Sequence, residues 1–285
     1  MYKIHDCVSD SCIVTSIPTP HGVLGVTSVD NELFVLLNQN DNQVVIYSIN
    51  DYELLRHLSV PGLKRNNDNY MTSCVQHKCL YFSHKARRYI QRFALMGGAT
   101  SKWSVPGSPY GLSVTRSCNV LVTCRGPNKL VELNADSGQC IRELRLDKDI
   151  WHPFHGVQVT TDQFVVSHGA WLSGFRRVCL VDGEGKVTRS YGDQHLVDIG
   201  PLGNACHFAV DEDSQYIFVV DGYNHRVVLL SPTLEFVRDA AEKLHWPYRV
   251  FLSRQNDQRQ RSPDEAANRR LYVGDYYGGV TVIQL

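Results

Sequence analysis

Six residues at near-regular spacing, His21, Tyr70, Tyr110, His155, His207 and Tyr248, carry the chemistry of this 285-residue chain. They recur on average about every 45 residues, and each stands at the head of an apolar, β-branched run. Three neutral imidazoles with one position left open make a catalytic zinc site, so His21, His155 and His207 are candidate ligands for zinc or a similar divalent metal. A second set is basic: Lys85, Arg87, Arg88, Arg125, Lys129, Arg176, Arg177 and Arg226, with Asp41, Asp221 and Asp275 as the main acids near it. Gathered on one face, these eight cations give a local positive field that draws in an anionic chain through its phosphates. Tyr70, Tyr110, Tyr248, Tyr223 and Trp171 supply rings on which bases stack. Two chemistries are therefore in view. One is cofactor-free binding of RNA or of an acidic or phosphorylated protein; the other is metal-dependent catalysis.

Both require elements that bring distant residues to one place. The clearest unit is the hairpin formed by the apolar runs at 216–220 and 226–230, joined by Asp221-Gly222-Tyr223-Asn224-His225, residues that tolerate tight or left-handed turns. Runs at 206–211 and 234–238 flank it and complete a four-stranded meander. The same grammar recurs from His21, Tyr70, Tyr110, His155 and Tyr248, and six units of about 45 residues predict an all-β fold, a six-bladed β-propeller of four-stranded antiparallel blades. The sixth unit, with runs at 271–275 and 279–285, is one strand short. Residues 12–16 have no other partner, which predicts that the N-terminal segment 1–17 closes the last blade and removes an exposed sheet edge. Residues 238–244 read as at most a short turn, and the polar stretch 253–268 as a flexible loop within the single domain 1–285. Successive strands reverse direction, so the starts of the inner strands and the turns between second and third strands share one axial face. That places the His and Tyr set beside the basic set.

Composition narrows the setting. The chain is 43% hydrophobic with formal net charge zero, enough for a large core and without a bulk electrostatic preference. No apolar run approaches the roughly 20 residues of a membrane helix, and nothing near Met1 resembles a signal peptide. A cytoplasmic, monomeric domain is the expectation. Nine cysteines without a CxxC pair read as reduced, buried small hydrophobes. No phosphate-binding glycine loop and no Gly-x-Ser-x-Gly occurs, so nucleotide and serine hydrolysis are not indicated.

The run Asp221-Gly222-Tyr223-Asn224-His225-Arg226-Val227-Val228 resembles the Asp-x-x-Asn-His-Arg-Val signature of NHL-repeat propellers. Asp41-Asn42-Gln43-Val44-Val45 and Pro127-Asn128-Lys129-Leu130-Val131 keep part of it. The resemblance implies the kind of ring found at the carboxyl end of tripartite-motif proteins, where it binds RNA or protein. Ubiquitin-ligase activity is not carried over, because the chain shows no RING, B-box or coiled-coil region. Pro20-His21-Gly22-Val23 and Phe154-His155-Gly156-Val157 are also similar to metal-binding segments of peptidyl-hydroxyglycine amidating lyases, related propellers. On that likeness Tyr70, Tyr110 or Tyr248 is the base and Arg249 orients a carboxylate.

Overall fold

A computed structural model describes residues 12–38, 43–63, 70–169, 176–192, 202–205, 207–253 and 269–285. Twenty-four strands form six four-stranded antiparallel sheets. Blade 1 is β2 (Val23–Val29), β3 (Glu32–Leu37), β4 (Gln43–Ser48) and β5 (Leu54–Ser59). Blade 2 is β6 (Met71–Cys74), β7 (Cys79–His84), β8 (Tyr89–Ala94) and β9 (Thr100–Ser104). Blade 3 is β10 (Ser108–Val114), β11 (Val120–Arg125), β12 (Lys129–Leu133) and β13 (Cys140–Arg145). Blade 4 is β14 (His155–Thr160), β15 (Gln163–Gly169), β16 (Arg176–Asp182) and β17 (Val187–Tyr191). Blade 5 is β18 (Phe208–Val210), β19 (Ile217–Asp221), β20 (Arg226–Leu230) and β21 (Phe236–Ala241). Blade 6 is β22 (Pro247–Ser253), β23 (Arg270–Asp275), β24 (Val280–Gln284) and, from the other end of the chain, β1 (Cys12–Ile17).

Strand periodicity explains the ring. Successive side chains of a strand face opposite sides, and the second strand of each blade is apolar on both. In β3, Leu33, Val35 and Leu37 pack toward blade 6, while Phe34 and Leu36 pack toward blade 2. Six apolar clusters result, one between each pair of neighbouring blades. Outer strands carry no such double demand, and β5 and β13 are mostly exposed. Inner strands pack each on the next, and β22 packs on β2. The ring is closed.

The N-terminal strand closes the last blade as the repeat arithmetic requires. β1 pairs antiparallel with β24, from Cys12 opposite Gln284 to Ile17 opposite Val280. Among the described side chains of β1 only Ile17 is a core residue, with Ile13 and Val14 exposed, so the strand contributes mainly a backbone ladder that covers the β24 edge. One expectation is corrected: residues 238–241 continue β21 instead of leaving as a turn, because Arg238 and Asp239, both partly buried, stay in the ladder with β20 while Ala240 and Ala241 enter the core between blades 5 and 6. The stretch 254–268, the Asp41-Asn42 turn and Trp171 lie outside the described residues. No helix among the described residues is long and apolar enough to cross a membrane.

Candidate functional site

The heads of the inner strands and the turns between second and third strands meet on one face. Their side chains interleave around the axis. The Arg249 guanidinium lies 3.8 Å from the Tyr248 ring and 4.1 Å from the Tyr70 ring. Lys85 Nζ is 4.8 Å from Tyr70 and 4.2 Å from Tyr110. Arg125 is 4.3 Å from Tyr110 and 4.6 Å from Phe154, and Arg176 is 3.9 Å from Phe154. Rings and cations thus alternate from blade 6 through blades 2, 3 and 4. Each contact falls within the range in which a ring quadrupole attracts a cation.

Arg249 is buried among these rings. It is 2% exposed, its Nε donates to the Leu24 carbonyl of blade 1 at 2.8 Å, and its Nη1 donates to the Tyr248 carbonyl at 2.9 Å. Lys85 follows β7 and opens a single 3-10 turn that closes on Arg88 in the left-handed region at φ 54°. Gly111 shapes the wall, since a Cβ there would come within 2.6 Å of the Phe154 carbonyl and of the His155 Cα. Among the described residues, Arg125 Nε and His155 Nδ1 are buried without a hydrogen-bond partner. Arg87 and Arg88 are exposed at the rim and make no ion pair among the described residues.

His155 and His207 come together, and His21 does not join them. The two rings stack at 4.2 Å with 18° between planes, and the Val250 amide donates to His207 Nδ1 at 3.4 Å. His21 is exposed ahead of β2. Burial, then the Arg249 charge, pushes His155 down to about 3; burial, His155 and Arg249 hold His207 well below the ordinary value. Both are neutral at physiological pH. Stacked imidazoles share faces instead of aiming nitrogens at one point, and the surrounding cations oppose a dication. Among the described residues no group of three or more His, Cys, Asp or Glu side chains is placed to hold a metal ion. The donor set does not fit zinc.

Two residues of the basic set are engaged elsewhere. Arg226 donates from Nε to Asp221 Oδ2 at 2.9 Å and pairs with Asp239 at 3.3 Å. Asp221, fully buried, also accepts from Asn224 Nδ2 at 2.8 Å and from the Gly203 amide at 2.7 Å. His225 takes the left-handed position at φ 56° and its Nδ1 bonds the Leu244 carbonyl at 3.0 Å. The Asp-Asn-His-Arg motif is therefore turn-building. Lys129 is tied to Glu143 at 2.5 Å on the blade 3 sheet. Arg177 is half-buried on β16, one residue from the Phe154 contact made by Arg176.

Sequence reasoning named Tyr223 and Tyr248 but missed Phe154 and the rings Trp246, Tyr276 and Tyr277 that join them into an aromatic shelf. Tyr248 meets Tyr276 at 5.2 Å, Tyr276 meets Tyr277 at 5.2 Å, Tyr277 meets Trp246 at 5.9 Å, and Trp246 meets Tyr223 at 5.7 Å. Tyr223, Tyr276 and Tyr277 are 46%, 38% and 60% exposed, which leaves their faces open to a ligand. A signal for the shelf existed: Asp275-Tyr276-Tyr277 of blade 6 repeats the Asp221-Gly222-Tyr223 spacing of blade 5. Asp275 accepts the Tyr277 and Gly278 amides and so fixes that turn.

No family model and no curated protein matches the sequence. Solved structures do match it in shape. A streptogramin B lyase superposes with a TM-score of 0.63 at 10% identity, covering 95% of this chain and 97% of its own. Virginiamycin B lyase from Staphylococcus aureus gives 0.61 at 12% identity, covering 94% and 96%. Hydrazine synthase from Kuenenia stuttgartiensis gives 0.62 at 13% identity, covering 100% and 99%. At such identities the likeness shows the six-bladed propeller and not a reaction.

Proposed function

We propose that this protein is a binding module of the NHL type whose axial face takes single-stranded RNA. The observation that carries the proposal is the alternation of Arg249, Lys85, Arg125 and Arg176 with Tyr248, Tyr70, Tyr110 and Phe154, continued outward by the exposed Tyr276, Tyr277 and Tyr223. A single strand needs both parts. Its phosphates take the exposed cations Arg87 and Arg88 above the buried Arg249, Lys85 and Arg176, and its bases, free of a duplex, stack on the exposed Tyr223, Tyr276 and Tyr277 with little regard to sequence. Rim residues Arg87 and Arg88 extend the positive field to the surface, and the Arg125 Nε–H, buried without a partner among the described residues, adds a donor beneath it.

In this reading the face needs no metal or cofactor, and the stacked His155 and His207 form a neutral wall of the well. The buried thiols of Cys74, Cys79, Cys124 and Cys179 fit a reducing compartment such as the cytoplasm. Two of the structural neighbours are lyases, but no observation among the described residues of this face favours catalysis here.

The test is a titration of the purified protein with a labelled single-stranded oligoribonucleotide, beside a duplex of the same sequence, a phosphorylated acidic peptide and the unphosphorylated peptide. Preference for the single strand, weakened by salt, supports the proposal. Equal or tighter binding of the phosphopeptide overturns it in favour of a protein partner.

A further inference from the structure

We propose that His245 reads the ribose of a nucleotide stacked on the aromatic shelf, accepting a hydrogen bond from its 2′-hydroxyl and so selecting RNA over DNA. The inference rests on the axial-face reading above and deepens it. Phosphate contacts and base stacking serve a deoxyribose strand as well as a ribose strand, so neither chooses between them. The 2′-hydroxyl, a donor and an acceptor, is the group that does.

The blade 6 turn departs from the blade 5 turn at one carboxylate. In blade 5, Asp221 closes on Asn224 and Arg226, three and five residues further on. Blade 6 has Gly278 and Val280 at those spacings, and neither carries a side-chain donor. Asp275 Oδ1 takes the Tyr277 amide at 2.5 Å and the Gly278 amide at 3.2 Å, which leaves Oδ2 for His245 Nδ1 at 2.6 Å. An ionised carboxylate only accepts, so Nδ1 carries the proton and Nε2 of the neutral ring is an acceptor. The Asp275 side chain is 11% exposed and that of His245 is 72% exposed, and no described residue takes Nε2.

The backbone on either side of His245 is pinned. The Leu244 amide donates to the His225 carbonyl at 2.9 Å, and the Leu244 carbonyl bonds His225 Nδ1 at 3.0 Å. The Trp246 carbonyl accepts the Tyr276 amide at 3.0 Å. Lys243 and Trp246 are both left-handed, at φ 56° and 42°, conformations that a non-glycine residue keeps only where its surroundings impose them. His245 is thus presented ready-oriented, and little freedom is left to lose on binding. Its ring lies 5.7 Å from Tyr277, the most exposed ring of the shelf, at 55° between planes. A base stacked on Tyr277 carries its ribose at the edge of the stack, beside this imidazole. The neighbouring His225 is half-buried with Nδ1 engaged, so it does not compete for the role.

The experiment titrates the full chain with three labelled single strands of one sequence: ribose, deoxyribose and 2′-fluoro. The fluoro strand keeps the ribose pucker and has no 2′ donor. The parent should bind the ribose strand about fivefold more tightly than either of the others, the worth of one net hydrogen bond. His245→Phe keeps a ring beside Tyr277 and removes the acceptor, so it should weaken the ribose strand alone and erase the preference. His245→Gln, which keeps an acceptor, should restore part of it. Equal binding of the ribose and fluoro strands by the parent overturns the inference and leaves capture on the axial face standing. A preference undiminished in His245→Phe overturns it as well, and so does an equal loss on all three strands, which would make His245 a charge or stacking contact. Binding of none of the strands overturns the axial-face reading and this inference with it. The comparison of ribose with fluoro strands on the parent needs no variant, so a misfolding substitution leaves the test intact.

Discussion

Reversing the two rim charges, Arg87→Glu together with Arg88→Glu, is the most direct probe of the axial face. Both side chains are exposed and make no ion pair among the described residues, so the fold loses little. Their effect on a phosphate chain is calculable. A cation about 4 Å from a phosphate in water gains about 1 kcal/mol, and reversal turns that gain into a similar cost. Two reversals therefore cost up to about 4 kcal/mol at low salt. Each contact to a single strand also contributes about −0.7 to the slope of log affinity against log salt, so losing two flattens the slope by about 1.4. Between roughly 50 and 200 mM salt, the parent should lose about sevenfold more affinity than the variant. Fluorescence anisotropy of a labelled oligoribonucleotide at several salt concentrations reads both quantities. Lys129→Gln is the control, since Lys129 is held by Glu143 and should leave the slope nearly unchanged. Equal affinity and equal slope for parent and double variant would refute RNA capture at this rim.

Replacing Tyr223 or Tyr277 by Ala should cost about 1–3 kcal/mol of RNA affinity each, one stacked base apiece, with an unaltered melt because both rings are largely exposed; unaltered affinity would remove the shelf from the site. Deleting residues 1–17 strips β1 from β24, and loss of a single cooperative thermal transition is expected. Retention of the parent melt would show that ring closure does not depend on that ladder. Acid should destabilise the fold from about pH 6.5 downward: His155 and His84 are pushed down to about 3 and about 4, chiefly by burial, so the unfolded chain takes up protons there that the folded chain refuses. Chemical denaturation at a series of pH values measures this, and His84→Gln should reduce the slope. Asp221→Ala leaves Arg226 half-paired inside the blade 5 turn and should cost about 3–5 kcal/mol of stability, against far less for an exposed acid such as Glu235.

How much of this was legible in the sequence follows from the range of each interaction. Strand alternation and turn chemistry are local, so the six meanders, the closing strand and the shared axial face could be read from residues alone. Residues 238–241 were misread because two alanines carry almost no strand propensity of their own; packing against blade 6 decides their conformation. Position on a face is also a local property, and Tyr70, Lys85, Tyr110, Arg125, Arg176 and Tyr248 duly converge. What each charge does there is not local. Arg226 and Lys129 belong to the same pattern as Arg125, yet Asp221, Asp239 and Glu143 claim them, and only tertiary structure sets those carboxylates within reach. His21, His155 and His207 are equivalent by repeat, but the blades tilt two rings into a stack and leave the third in solvent. The sequence by itself determined the ring and which residues line its mouth. The tertiary structure decided which of them pair with carboxylates, which are buried and which stay exposed, because pairing and burial depend on neighbours brought in from other blades.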